Sequence, residues 1–251
     1  MLKKDILKVI ICVIIGFIGL AIGGIMYKFI EIPLLEGVIT YIVPFLLVLL
    51  LTKKFRAEKY FNFTGNFSKL FSYGWYVILA GCIFGGLNFL SLQDKVSTST
   101  DVFIGFVISC ICTATFEELL CRGLIQGITC DIGKRYNHST IRYIVYASMV
   151  FALMHFLNLI DKPYLIIGTI TQVIYAFSLG MLFGVIYYKT KNLTISIVLH
   201  AIFNILGSYI VLFMEQENVP QTDIPFISVV IQLVIMLPCI LVAYRIYKKE
   251  S

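Results

Sequence analysis

Charge is what this sequence has least of. Asp, Glu, Lys and Arg make up 14% of its 251 residues, where a soluble domain carries about 25%, and that shortfall excludes an ordinary water-facing globule. Signatures of structural metal and of thiol redox chemistry are missing as well. The seven cysteines are spread through or beside apolar segments, with no C-x-x-C pair and no Cys/His cluster at zinc-finger spacing, which reads as reduced, buried thiols. No internal repeat, linker or low-complexity tail divides the chain. The glycines of Gly16 to Gly24 and at Gly81, Gly85 and Gly86 suit close helix packing and form no phosphate loop. The net charge of +6 needs no nucleic-acid partner, because basic residues at helix ends sit beside anionic lipid headgroups.

What the sequence has in abundance is long apolar runs. Hydrophobic residues are 59% of the chain and the mean hydropathy is +0.93. Runs such as Val9 to Met26 and Tyr41 to Leu51 are too long for core strands, and about 20 such residues cross about 30 Å of hydrocarbon. Hydropathy and the charges that interrupt it give helices near 6–28, 36–52, 70–91, 102–127, 140–158, 164–188, 193–213 and 224–246. An open sheet would leave backbone groups unpaired in lipid. The expectation is therefore an all-α, polytopic bundle of about eight transmembrane helices, forming one integral membrane domain over residues 1–251 of a cell membrane protein.

Positive charge recurs on alternate connections: Lys3, Lys4 and Lys8; Lys53, Lys54, Arg56, Lys59 and Lys69; Lys134, Arg135 and Arg142; Lys189 and Lys191; Arg245, Lys248 and Lys249. The intervening loops, Gln93 to Asp101 and Glu215 to Asp223, are poor in it. By the positive-inside rule both termini face the cytoplasm. The basic start resembles a signal peptide, but its apolar run is longer than an h-region, so it reads as a retained first helix.

Function must then come from polar side chains placed where a bilayer penalises them, by roughly 2.5–3.5 kcal/mol for a charge at mid-helix. Glu117, Glu118 and Arg122 stand in the fourth helix, His155 in the fifth, His200 and Asn204 in the seventh. Glu118 and Arg122 are four apart and share a face that continues toward Gln126, whereas Glu117 is turned about 100° away and lacks a local counter-ion. A lone intramembrane His or Asn is ordinarily an interhelical hydrogen bond. An acidic pair, a compensating Arg and two histidines on three helices ask for more. A carboxylate can deprotonate water, an imidazole can orient it, and imidazole or amide N–H groups can hold an oxyanion. Glu117, His155 and His200 also match the ligand set of a catalytic zinc, although no H-E-x-x-H is present to impose the geometry. A zinc mechanism and a metal-free glutamate mechanism both remain open, and both hydrolyse a peptide bond.

The segments Glu117-Glu118-Leu-Leu-Cys-Arg122, Phe151-Ala-Leu-Met-His155 and His200-Ala-Ile-Phe-Asn204 resemble the E-E-x-x-x-R, F-x-x-x-H and H-x-x-x-N motifs of the CPBP family. That family comprises CAAX prenyl proteases and bacteriocin-processing or immunity proteins, related to the Rce1-type endopeptidases. The resemblance covers a core of about 102–213. It implies an intramembrane endopeptidase acting on a peptide or lipidated protein, with Glu117 and His155 activating water, His200 and Asn204 at the oxyanion, and Glu118 and Arg122 in support. The first three helices and the last carry none of it and are expected to vary freely.

Rival readings are a non-catalytic immunity or membrane binding protein and a proton-coupled transporter. The latter lacks an inverted repeat and a matched pair of broken helices. Counting 1.5 Å per residue puts His155 about 20 Å from Arg142 and His200 about 14 Å from Lys191. That is near mid-bilayer, reached from the cytoplasmic side or laterally from lipid. Gln172, Tyr175 and Ser178 are expected to pack rather than line the site, and Trp75 and the other aromatics near helix ends to form interfacial belts.

Overall fold

Hydropathy alone leaves this chain little choice but helix, since lipid offers backbone groups no other partners. The computed structural model describes residues 2–65, 67–91, 97–214 and 223–249, and among them there is no strand. In order they form α1 (Leu2–Ile30), α2 (Glu36–Phe55), α3 (Lys69–Ser91), α4 (Thr100–Glu118), α5 (Gln126–Arg135), α6 (Thr140–Met154), α7 (Asn158–Asp161), α8 (Ile166–Thr190), α9 (Leu193–Ser208), α10 (Phe226–Met236) and α11 (Pro238–Lys248). Eight spans among the described residues are long and apolar enough to cross a membrane. The chain is thus a multi-pass membrane protein. The charge-poor loops used to orient it fall largely on 92–96 and 215–222, outside the described residues.

Seven of the spans match the expected ones to within a few residues. The fourth does not: it runs Thr100–Arg135, 36 residues against the 26 of the expected 102–127. The expected end at 127 reflects polar residues Asp131, Lys134 and Arg135, which end a hydropathy run without ending the helix. In its middle, Leu119–Ile125 wind as a π-helix joining α4 to α5, and every one of these residues is buried. Such wide turns are frequent at functional sites.

Local chemistry accounts for the boundaries. The Ser99 hydroxyl accepts the Val102 N–H to start α4, and the Asn192 carboxamide accepts the Thr194 N–H to start α9, each meeting an amide the helix leaves free. Both α2 and α8 stop on a left-handed residue, Arg56 and Lys191, each at φ 54°. A cation there suits the negative end of a helix dipole.

Packing centres on α8, which touches α6, α9, α10 and α11, while α4 lies between α2 and α9. Glycine sets the closest approaches. A Cβ on Gly23 would stand 1.9 Å from the Thr40 carbonyl oxygen, so only glycine lets α1 and α2 cross there. Gly184 and Gly180 serve α8 against α6: a Cβ on Gly184 would meet Ile144 at 2.8 Å and one on Gly180 would meet Phe151 at 3.1 Å. Cys12, Cys110, Cys121 and Cys239 are buried and free as expected, but Cys82 is exposed on α3.

Candidate active site

The π-helical turn begins at the acidic pair. Glu118 is 0% exposed and Arg122, four residues on, is 2% exposed, with Nη1 3.0 Å from Glu118 Oε1. This contact is ionic in distance without the alignment of a hydrogen bond. Arg122 Nη2 donates to the Gly180 carbonyl at 3.4 Å, and one turn further Gln126 Nε2 donates to Gly184 O at 3.0 Å. The stripe foreseen from Glu118 through Arg122 to Gln126 thus lies along the two glycines of α8. The guanidinium also sits 4.4 Å from the Phe151 ring centre and 5.3 Å from that of Phe183. A buried cation between two aromatic faces and beside a carboxylate is a compensated charge, with Arg122 Nη1 and Glu118 Oε2 left without hydrogen bonds.

Glu118 has a second partner. His200 Nδ1 stands 2.9 Å from Glu118 Oε1, and an ionised carboxylate only accepts, so Nδ1 carries the proton. The other ring nitrogen, Nε2, faces Glu117 Oε2 at 3.5 Å. His200 therefore bridges the two glutamates, with Phe183 stacked on its ring at 5.1 Å. Glu117, without a counter-ion on its own helix, finds this imidazole on α9 instead; its side chain is 21% exposed. Turned away from the Glu118–Arg122 stripe, it lines a cavity of about 830 Å³.

His155 ends α6. There the helix tightens into a 3-10 turn over His155–Leu157, and the His155 N–H reaches the Ala152 and Leu153 carbonyls. The Phe151 carbonyl is left facing His155 Nδ1 at 3.0 Å. A carbonyl can only accept, so Nδ1–H donates and the lone pair is left on Nε2 of a ring that lines the same cavity. The Phe151 ring meets His155 edge-on at 5.1 Å and His200 at 5.9 Å. Asn204, one turn after His200 on α9, completes the set lining the cavity.

Several residues in and around the cavity carried no signal in the sequence. Thr113 and Tyr41 face the cavity with their hydroxyls 2.8 Å apart, and Phe183 is an ordinary apolar residue of a membrane helix until its ring is seen on His200. Gln172, expected to pack, lines the cavity and accepts from Asn158 Nδ2 at 2.8 Å; Tyr175 and Ser178 do pack. The first helix, which carries none of the motif residues, nonetheless lines the cavity through Phe17, Ile18, Ala21, Gly24 and Lys28. The cavity also runs toward Lys28, Asn158 and Ile160, at the end of the bundle away from the basic connections.

Glu117, His155 and His200 do not stand as a ready zinc site. Among the described residues no three His, Cys, Asp or Glu side chains are close enough to share a metal. His200 already has one nitrogen on Glu118 and the other toward Glu117.

No curated protein and no solved structure matches this chain. A family model does: residues 99–206 match the model described as type II CAAX prenyl endopeptidase Rce1-like. That stretch contains Glu117, Glu118, Arg122, His155, His200 and Asn204, and over it the chain is similar to the Rce1-like endopeptidases.

Proposed function

We propose that the chain is an intramembrane endopeptidase in which Glu117 takes a proton from water and the cavity receives a membrane-associated peptide or lipidated protein. The observation that carries this reading is the His200 bridge. A buried ion pair, Glu118 with Arg122, fixes His200 through Nδ1, and His200 in turn addresses the one glutamate that opens on the cavity.

Charge balance supports the assignment. Two carboxylates and one guanidinium leave a single negative charge, and a low-dielectric site resists it. Protonated His200 makes the cluster neutral while Glu117 stays ionised, the state a base requires. Water attacks the scissile carbonyl carbon as Glu117 takes its proton, and the Nε2 lone pair of His155 orients that water. The resulting oxyanion is held by His200 Nε2–H and the Asn204 amide. The C–N bond then breaks as Glu117 passes its proton to the leaving amine. A positioned base contributes about 10²–10⁴-fold in rate, and an oxyanion donor about 10²–10³-fold.

Glu117→Gln keeps the shape and removes the base. In purified protein reconstituted in lipid with a membrane-anchored peptide library, this variant is expected to lose cleavage by about 10²–10⁴-fold while His155→Ala also loses it. Undiminished cleavage by Glu117→Gln would refute the assignment. Parallel reactions with chelator and with added zinc read out metal dependence directly. No cleavage by folded wild type would turn the reading toward a binding or immunity protein.

A further inference from the structure

Resting on that protease reading, we infer that the site is served from the extracytoplasmic side, so that its substrate is a peptide segment held at the outer leaflet and not a tail offered from the cytosol. Two independent features of the bundle lead there.

The first is the plug at the basic end. Residues 57–63, between α2 and α3, lie across the π-helical turn and the start of α5. A Cβ on Gly127 would meet the Tyr60 ring at 2.4 Å and one on Gly123 would meet Phe61 at 2.9 Å, so both aromatics are seated directly on the helix that carries Glu117. Tyr60 is tied down on two sides: its hydroxyl donates to Asp131 at 2.6 Å and its carbonyl accepts from Tyr187 at 2.6 Å. The Leu193 N–H bonds to Asn62 O at 2.8 Å, and Arg135 pins the start of α1 through Asp5 at 2.6 Å. Leu120, Leu124 and Ile125, between this plug and the cavity floor, are 0% exposed.

The second is the distribution of charge. Lys53, Lys54, Arg56, Lys59, Lys134, Arg135, Lys189 and Lys191 all belong to the plugged end. At the open end, the described residues include the cations Lys28 and Lys162. The positive-inside rule therefore turns the plug to the cytoplasm and the mouth outward. From Lys28 at the rim to Phe17 at depth, the α1 wall falls about 16 Å, room for about five residues of extended chain. Past the rim, Asn158 and Gln172 also border a second cavity of about 420 Å³ with Lys162, Gly168 and Ile224. The occupant that fits is an extended, mostly apolar stretch whose scissile bond lies about five residues below the outer surface.

Thiol labelling tests the side without requiring catalysis. Lys28→Cys and Ile160→Cys are compared with Lys59→Cys and Lys134→Cys in intact cells, using a membrane-impermeant maleimide and counting signal above the wild type. The first pair is expected to label in intact cells and the second only after permeabilisation; the reverse pattern would overturn the inference. In the second arm, a library of N-palmitoylated peptides is added to right-side-out and to inside-out vesicles carrying wild type or Glu117→Gln. Cleavage by wild type in right-side-out vesicles alone supports the inference, and cleavage in inside-out vesicles alone overturns it. Should neither orientation cleave, proteolysis itself fails while labelling still decides which side the cavity faces.

Discussion

Two sides of the bundle around the same cavity are built in opposite ways. The α8 side, backed by α6, α9, α10 and α11, is packed so closely that a methyl group on Gly184 would push Ile144 aside and one on Gly180 would crowd Phe151 and Ser148, and the two glycine carbonyls receive Gln126 and Arg122 respectively. The α1 side rests on α2 through Gly19 and Gly23, shows Ile14 and Ile22 to lipid, and has open space at Gly24. Half of the α8 span is buried, against 22% of the α1 span. The difference separates two tasks. The tight wall holds charges in one geometry, where a displacement of an ångström matters to a reacting group. On the protease reading proposed above, the loose wall has only to admit and enclose a peptide, so its side chains would decide what enters and contribute little to folding.

Substitutions on each wall can break or sharpen this contrast. The largest effect should follow removal of the guanidinium: Arg122→Ala leaves Glu118 buried without its counter-ion, a loss of about 3–5 kcal/mol, and folded protein should disappear from detergent extracts monitored by thermal melting. Gly180→Leu should come next, because its Cβ already meets Phe151 at 3.1 Å and Ser148 at 3.3 Å. Overpacking of this kind costs about 1–3 kcal/mol, and both melting temperature and cleavage are expected to fall together. The same substitution on the other wall, Gly24→Leu, meets nothing within 4 Å. It should melt like wild type yet cleave long apolar substrates roughly tenfold more slowly; a lowered melting temperature would erase the contrast between the walls.

The smallest effect concerns Asp223, beyond the membrane spans, which accepts the Ile167, Gly168 and Ile224 N–H groups at the start of α8. Desolvation alone would raise its carboxyl, but the three donors outweigh it and hold it below the ordinary 3.8. A depressed carboxylate stabilises the fold above its unfolded value and loses that contribution as pH falls through the folded one. Asp223→Asn should therefore melt slightly below wild type at pH 7, and the gap should close as the pH drops below 3.8.

The helices were legible because lipid allows apolar runs so few structures, and the error in the fourth has the same origin. Asp131, Lys134 and Arg135 belong to a helix that leaves the membrane, where hydropathy no longer tracks it. Glu117, Glu118, Arg122, His155, His200 and Asn204 stood out because each is expensive in hydrocarbon. Tyr41, Thr113 and Phe183 did not, since a phenol, a hydroxyl or a benzene ring in a membrane helix is unexceptional. Spacing could pair Glu118 with Arg122 within one turn, but it could not pair either glutamate with His200, which joins them only when α9 packs on α4.

The Glu118–Arg122 contact also bears on how the chain is made. Helices enter the bilayer as they leave the ribosome, and a lone charge at a helix centre opposes that step by roughly 2.5–3.5 kcal/mol. Glu118 and Arg122 emerge four residues apart, so they can neutralise each other inside a single nascent helix. His200 arrives 82 residues after Glu118. The ion pair thus gives the fourth segment a passage into lipid that does not wait for its later partners, and the cluster of Glu117, Glu118 and His200 is completed around a pair already inside the membrane.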